Sequence, residues 1–392
     1  MRIVSAMGQI QDPFKEDHTI MKRRSLLALV LILGMIVAAC GGDEATEATG
    51  DTTTTTETDE TTTTTEAPET TTTTEAEPSV GTADNPIQVL FVPSVSAEEI
   101  VEGGALLEQT LEDATGLDFV VSVPASYAAT IEEMCASPET SMGFIPAQAY
   151  VLGSQLCGLE IAAKSERFGY TEYWAQFIAP RDSDINSLDD LAGKSWAYPD
   201  AGSTSGFLVP SGTLGVLGIE VSDEIEAGGH DGVVRAVYND EADFGTTFFS
   251  PATDGEGNSL WDETDEGADV PDDLVDSCGL SEDGQLACGS DYIVRDARRN
   301  IREENPDVIQ QVKIFAVSEA IPNDGVAFGP DFPEDLKQQI VDAMIAFAEE
   351  DPEGFATAFD AYSWDSVVPS TDSDFDSIRA IVQQLGITVG DL

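Results

Sequence analysis

Gly202-Ser203-Thr204-Ser205-Gly206-Phe207-Leu208-Val209-Pro210 is the stretch on which the reading of this 392-residue chain turns. Three consecutive hydroxyl residues stand between two glycines. They follow the apolar run Ser195-Trp196-Ala197-Tyr198 and lead into an apolar helical segment, Val209 to Gly218. Side-chain hydroxyls beside the free N–H groups of a helix start make a site for a tetrahedral oxyanion. A second helix start, His230-Asp231, follows about one helix and one strand later. Read alone, the cluster fits a helix cap and turn equally well.

Outward from this point strands and helices alternate. Ile87 to Val92 reads as a strand stopped by Pro93. Ala97 to Thr115 reads as a helix with Leu106, Leu107 and Leu111 on one side, ended by Gly116. Phe119 to Val123 and Met142 to Ile145 read as further strands, with a helix from Tyr127 to Cys135 between them. After Lys164 the pattern restarts: a crossing strand at Trp174–Ala179, a capped helix at Ser187–Lys194, the Ser195 strand, then a helix from His230 through Tyr238. This rhythm predicts an α/β fold built on mostly parallel sheets flanked by helices. Pro86 to Leu392 is long enough for two lobes. Ile314–Val317 reads as a second crossing strand, with helices at Tyr292–Asn305, Glu334–Glu350 and Phe375–Leu385. Residues 251–290 break the rhythm with Asp, Glu and Gly and read as an acidic surface insertion. Asp254-Gly255-Glu256-Gly257-Asn258 clusters oxygens there without the spacing of an EF-hand loop.

The amino-terminal region reads as an export signal. Lys22-Arg23-Arg24 precedes an apolar run, Leu26 to Val37, too short to span a bilayer. It ends in Val37-Ala38-Ala39-Cys40-Gly41, which resembles a bacterial lipobox. Residues 21–39 are therefore expected to be a lipoprotein signal peptide and Cys40 the lipidated mature terminus. Residues 1–20 read as a mis-assigned start ahead of Met21. Residues 40–85, rich in Thr runs, Glu and Pro, read as a disordered tether with an r.m.s. reach of about 35–40 Å.

The formal net charge is −57. Residues 1–39 hold five basic and three acidic side chains, so the remainder keeps 12 Lys+Arg against 71 Asp+Glu. No basic stripe exists to replace nucleic-acid counterions, which excludes DNA or RNA as a partner. An anion site in such a chain is expected to select by hydrogen-bond geometry and protonation rather than by positive charge. Beyond Cys40 the cysteines are Cys135, Cys157, Cys278 and Cys288, an even number in an oxidising compartment. Cys135–Cys157 and Cys278–Cys288 are the expected pairs among three possible pairings. Without a C-x-x-C and with one mature histidine, a zinc site is not expected, and neither is any cofactor.

Several segments together resemble the periplasmic phosphate/phosphite/phosphonate-binding proteins of ABC importers, a type II solute-binding family. They are Ala125–Glu132, Gly143–Tyr150, Tyr173–Ser183 running into Ser187–Lys194, Gly202–Pro210, Gly229–Val234, Ala242–Gly245, and Ile321–Asp324 with Phe332–Lys337. The resemblance implies two lobes joined by two crossover strands, lobe I at 86–172 and 318–392 and lobe II at 173–317, with hinge closure on a ligand in the cleft. It implies that Ser203, Thr204, Ser205 and His230 hold the phosphoryl oxygens. Tyr127 and Tyr173 would add phenolic O–H groups, and Asp324 would accept from a P–OH or a ligand amine. Tyr170 competes with Tyr173. Arg235 is expected to pair with nearby carboxylates on the helix surface. The implied protein is a monomer, not an enzyme, attached to the membrane through its lipid only and serving an ABC importer permease. Competing readings are the same scaffold for a sulfonate or thiamine precursor, and a surface sensor.

Overall fold

The computed structural model describes residues 79–95, 97–262 and 267–392. The expected start, signal peptide, Cys40 and most of the tether lie outside the described residues. Among the described residues no helix is long and apolar enough to cross a membrane.

The first part of the chain alternates strand and helix. β1 (Ile87–Phe91), α1 (Ala97–Thr115), β2 (Phe119–Ser122), α2 (Tyr127–Ala136), β3 (Ser141–Ile145), α3 (Ala147–Cys157) and β4 (Glu160–Glu166) follow in order. Ser126 caps α2 by accepting the Ala129 N–H at 3.1 Å, and Gly158 ends α3 in the left-handed region. On α1, Ile100, Leu107 and Leu111 are buried, whereas Leu106, expected beside them, faces solvent. It lies about 100° round the helix from Leu107.

The chain then crosses to a second sheet through β5 (Glu172–Pro180), β6 (Ser195–Tyr198), α4 (Val209–Leu217), β7 (Asp223–Glu226), α5 (His230–Tyr238) and β8 (Phe244–Phe249). Next come β9 (Cys278–Leu280), β10 (Leu286–Cys288), β11 (Tyr292–Ile293), α6 (Val308–Gln311) and β12 (Val312–Val317). β13 (Ile321–Pro322) and β14 (Gly325–Phe328) carry the chain back. α7 (Glu334–Glu350), α8 (Pro352–Ala358), β15 (Ser366–Pro369) and α9 (Asp376–Leu385) complete it.

Beside a small antiparallel sheet, β11-β10-β9, stand two large ones, one of order β15-β4-β14-β3-β1-β2 and one of order β12-β5-β8-β6-β7 with β13 also on β5. Both large sheets are mixed rather than mostly parallel. β2-β1-β3 and β7-β6-β8 are parallel, as helical crossovers require. The remaining pairings are antiparallel, made by strands that enter or leave the segments passing between the sheets. Each large sheet has its own aromatic packing. Trp364 stacks on Phe359 at 4.7 Å in the first, and Trp196 on Phe207 at 5.6 Å in the second.

Two readings of the sequence are corrected here. The described parts of the segment expected as a surface insertion, 251–262 and 267–290, are packed into the fold. Trp261 meets Trp174 and Phe249 edge-on, each at 5.0 Å, and Val270, Val275 and Leu286 are buried. Asp269 accepts from Arg298 at 2.6 Å and Arg181 at 2.9 Å. Widely spaced apolar residues and one paired carboxylate carry this packing, and acidic neighbours mask them in the composition. The helix expected at Tyr292–Asn305 is instead β11 followed by a 3₁₀ turn, Ala297–Ile301. Asp296 caps that turn through the Arg298 N–H and also binds the Arg298 guanidinium, which holds it to a single short element. The disulfides are Cys135–Cys157 and Cys278–Cys288.

The hydroxyl cluster starts a π turn, Thr204–Leu208, that runs into α4 with Pro210 at its second residue. Proline has no N–H to offer the Gly206 carbonyl four residues back. Thr246 Oγ1 from β8 donates to that carbonyl instead, and accepts from Trp196 Nε1 at 2.7 Å. Thr246→Val would leave both groups buried and unpaired. We expect it to lower the unfolding free energy by about 2–4 kcal/mol, read by urea denaturation; a loss under about 0.5 kcal/mol would contradict this role.

Candidate functional site

A cavity of about 50 Å³ opens where the carboxyl ends of the parallel strands of both sheets meet. That is several times the ~10–15 Å³ needed for one water molecule. Four helical segments begin at its wall. Tyr127 is the first residue of α2, Pro146 caps α3, Ser203 caps the π turn leading into α4, and His230 opens α5. Each helix start carries N–H groups without a partner inside its own helix and the positive end of a dipole. Ligands of open α/β sheets bind outside the carboxyl ends of their strands for this reason.

Close approach depends on two glycines. A side chain at Gly202 would put its Cβ 2.4 Å from Tyr127 Cβ, and one at Gly206 would sit 2.3 Å from Pro199 Cδ. Elements of the two sheets touch here. Gln148, buried at the start of α3, donates its N–H to Thr204 Oγ1 at 2.8 Å and its side-chain amide to the Ala201 carbonyl at 3.0 Å.

Of the residues expected at the site, Ser203, Ser205, His230, Tyr127, Tyr173 and Asp324 line the cavity. Thr204 does not; its hydroxyl accepts from Gln148 instead. Tyr173 takes the wall position, while Tyr170 donates to the Trp261 carbonyl at 3.3 Å and packs on Trp174. Burial raises the hydroxyl pKa of both Tyr127 and Tyr173, so each keeps its O–H. Asp324 reaches the cavity with one carboxylate oxygen, Oδ2, already engaged. Arg167 Nη2 donates to it, tying the two segments that pass between the sheets, and the neighbouring Asn323 donates to the Ser165 carbonyl at 3.0 Å. Arg235 pairs with Asp231 and Glu304, both at 3.2 Å.

His230 is held neutral. Burial, then the nearby Arg167 charge, lowers its pKa to about 3. Its Nε2 lies 3.5 Å from Ser203 Oγ, and its ring meets Phe248 at 5.0 Å. Its Nδ1 is buried without a partner among the described residues, as is Arg167 Nε. Buried polar atoms are normally satisfied, and both residues line the cavity. Sequence reasoning missed Arg167, Arg299, Ser94 and Tyr362, all in the cavity wall. None belongs to a motif; Arg167 and Ser94 come from segments just after strands, and Arg299 and Tyr362 from short 3₁₀ turns, all distant in sequence from the hydroxyl cluster.

Residues 89–375 match the family described as ABC transporter, phosphonate, periplasmic substrate-binding protein. The chain belongs to this family. Members are binding components of transport systems, not enzymes. The phosphate-import protein PhnD of Mycolicibacterium smegmatis is 28% identical over 323 residues, covering 76% of this chain and 86% of the relative. Two solved structures share the fold. A binding component of an ABC phosphonate transporter from Pseudomonas aeruginosa has a TM-score of 0.56 at 18% identity, covering 76% of this chain and 85% of its own. PhnD1 from Prochlorococcus marinus, in complex with methylphosphonate, has a TM-score of 0.58 at 13% identity, covering 76% and 98%.

The depressed pKa of His230 has a sign. A histidine that stays neutral when folded but has an ordinary pKa of ~6.5 when unfolded contributes stability that is present above that value. The contribution is lost progressively as pH falls toward 3. Urea unfolding at about pH 7 and about pH 4.5 should therefore show a smaller pH-dependent loss in His230→Gln than in the parent chain. Equal losses would contradict a buried neutral His230.

Proposed function

We propose that this protein is a lipid-anchored extracytoplasmic receptor that captures a phosphonate, phosphite or phosphate between its lobes and passes it to an ABC importer. The observation that carries the reading is the set of helix starts around a cavity holding hydroxyl donors, a neutral histidine and two unpartnered buried nitrogens. Hydrogen bonds to a charged group are worth about 1.5–3 kcal/mol each. About four or five of them reach micromolar affinity after ordering costs. Ser203, Ser205, His230, Tyr127 and Tyr173 are the donors assigned to the anion, and the Thr204 hydroxyl orients the turn that presents them. Cys40 is the assigned lipid attachment point, and the chain works as a monomer.

Calorimetric titration with phosphate, phosphite, methylphosphonate and 2-aminoethylphosphonate tests the ligand class. Binding of at least one is expected, weakened about 10-fold or more by Ser203→Ala; silence toward all four would sink the reading. Anchoring is tested separately. Cys40→Ala should move the protein from the membrane fraction to the soluble fraction, and unchanged fractionation would refute lipidation at this residue.

A further inference from the structure

Many of the basic side chains described here are paired with carboxylates. Arg298, fully buried, is held by Asp296 and Asp269. Arg181, Arg235 and Lys337 likewise have acidic partners. In the cavity wall, Arg167 is matched by Asp324. Arg299, on the same 3₁₀ turn as Arg298, differs. It lines the cavity, donates through Nη2 to Ser363 Oγ, and stands 5.7 Å from the Phe168 ring centroid. Among the described residues no carboxylate forms an ion pair with it. Of the acids near it, Asp296 is bound to Arg298, Asp365 accepts the Phe168 N–H, and exposed Asp360 acts on it without forming an ion pair.

A partly buried cation without an ion-pair partner is costly. Burial, then the charges of Arg295 and Arg302, pull the Arg299 guanidinium down to about 10 against a smaller opposing pull from Asp360 and Asp296, so it remains protonated at neutral pH. The other charges of the wall cancel. Asp324 is matched by Arg167, His230 is neutral, and both tyrosines keep their protons. Arg299 leaves the cavity cationic within a chain of net charge −57.

We propose that Arg299 contacts the bound anion as its counter-ion and thereby sets the charge class of the ligand, a dianionic phosphonate or phosphate without an amino group. This rests on the oxyanion reading of the cavity. A ligand ammonium would meet Arg299 and an Asp324 whose charge is already matched by Arg167. Methanesulfonate has the shape of methylphosphonate but a single negative charge, so it draws less from the same arginine.

The test is titration of the full chain at about pH 8.5, where phosphate and methylphosphonate are dianions, with phosphate, methylphosphonate, methanesulfonate and 2-aminoethylphosphonate, in the parent, Arg299→Gln and Arg299→Lys. The parent should prefer methylphosphonate to both methanesulfonate and 2-aminoethylphosphonate by at least about 10-fold. Arg299→Gln should weaken methylphosphonate and phosphate about 10- to 100-fold and shrink the preference over methanesulfonate. Arg299→Lys, which keeps the charge, should lose less. Melting curves establish that each variant folds. If Arg299→Gln does not fold, the parent's ranking of the four ligands decides. Methylphosphonate binding unchanged in folded Arg299→Gln, or a parent that binds 2-aminoethylphosphonate as tightly as methylphosphonate, overturns the assignment alone. A parent silent toward all four removes the oxyanion reading and the assignment together.

Discussion

A helix cannot satisfy its own first N–H groups, and in this fold that deficit is concentrated in one place. Parallel strands end, and the helices after them begin, on the same edge of each sheet. Tyr127, Pro146, Ser203 and His230 mark four such starts at one cavity. Much of the local detail serves that arrangement. Gly202 lets the chain approach Tyr127, Gly206 lets it pass Pro199, and Thr246 replaces the hydrogen bond that Pro210 cannot make.

This concentration explains how a strongly acidic chain can present an anion site. Exposed carboxylates are screened over a Debye length of about 8 Å at physiological salt, whereas helix ends and secluded guanidinium groups act at contact distance. The acidic composition suggests selection by neutral donors alone. The structure adds Arg167 and Arg299 to the wall, one matched by Asp324 and one not.

The legible part of the site is its local part. Ser203, Ser205 and His230 sit at helix starts, where capping chemistry and short-range sequence agree, and the structure places them at the cavity. Thr204 shares the motif, yet its hydroxyl turns to Gln148, 56 residues earlier in the chain. Asp324 is recognisable as a residue, but its partner Arg167 lies 157 residues away. Likewise the burial of Trp174 against Trp261, and of Val270 and Leu286 in an acidic segment, depends on what packs over them, not on their neighbours in sequence.

The sequence by itself determined the alternation of strands and helices, most helix starts, the turn at the hydroxyl cluster and the supply of cysteines. Those follow from periodicity, capping and composition, which act over a few residues. The tertiary structure alone decided the antiparallel share of each sheet, which hydroxyls face the cavity, and which arginines are neutralised. These depend on contacts between distant segments. Whether a buried charge is matched is settled only when the chain has brought its partner within a few ångströms.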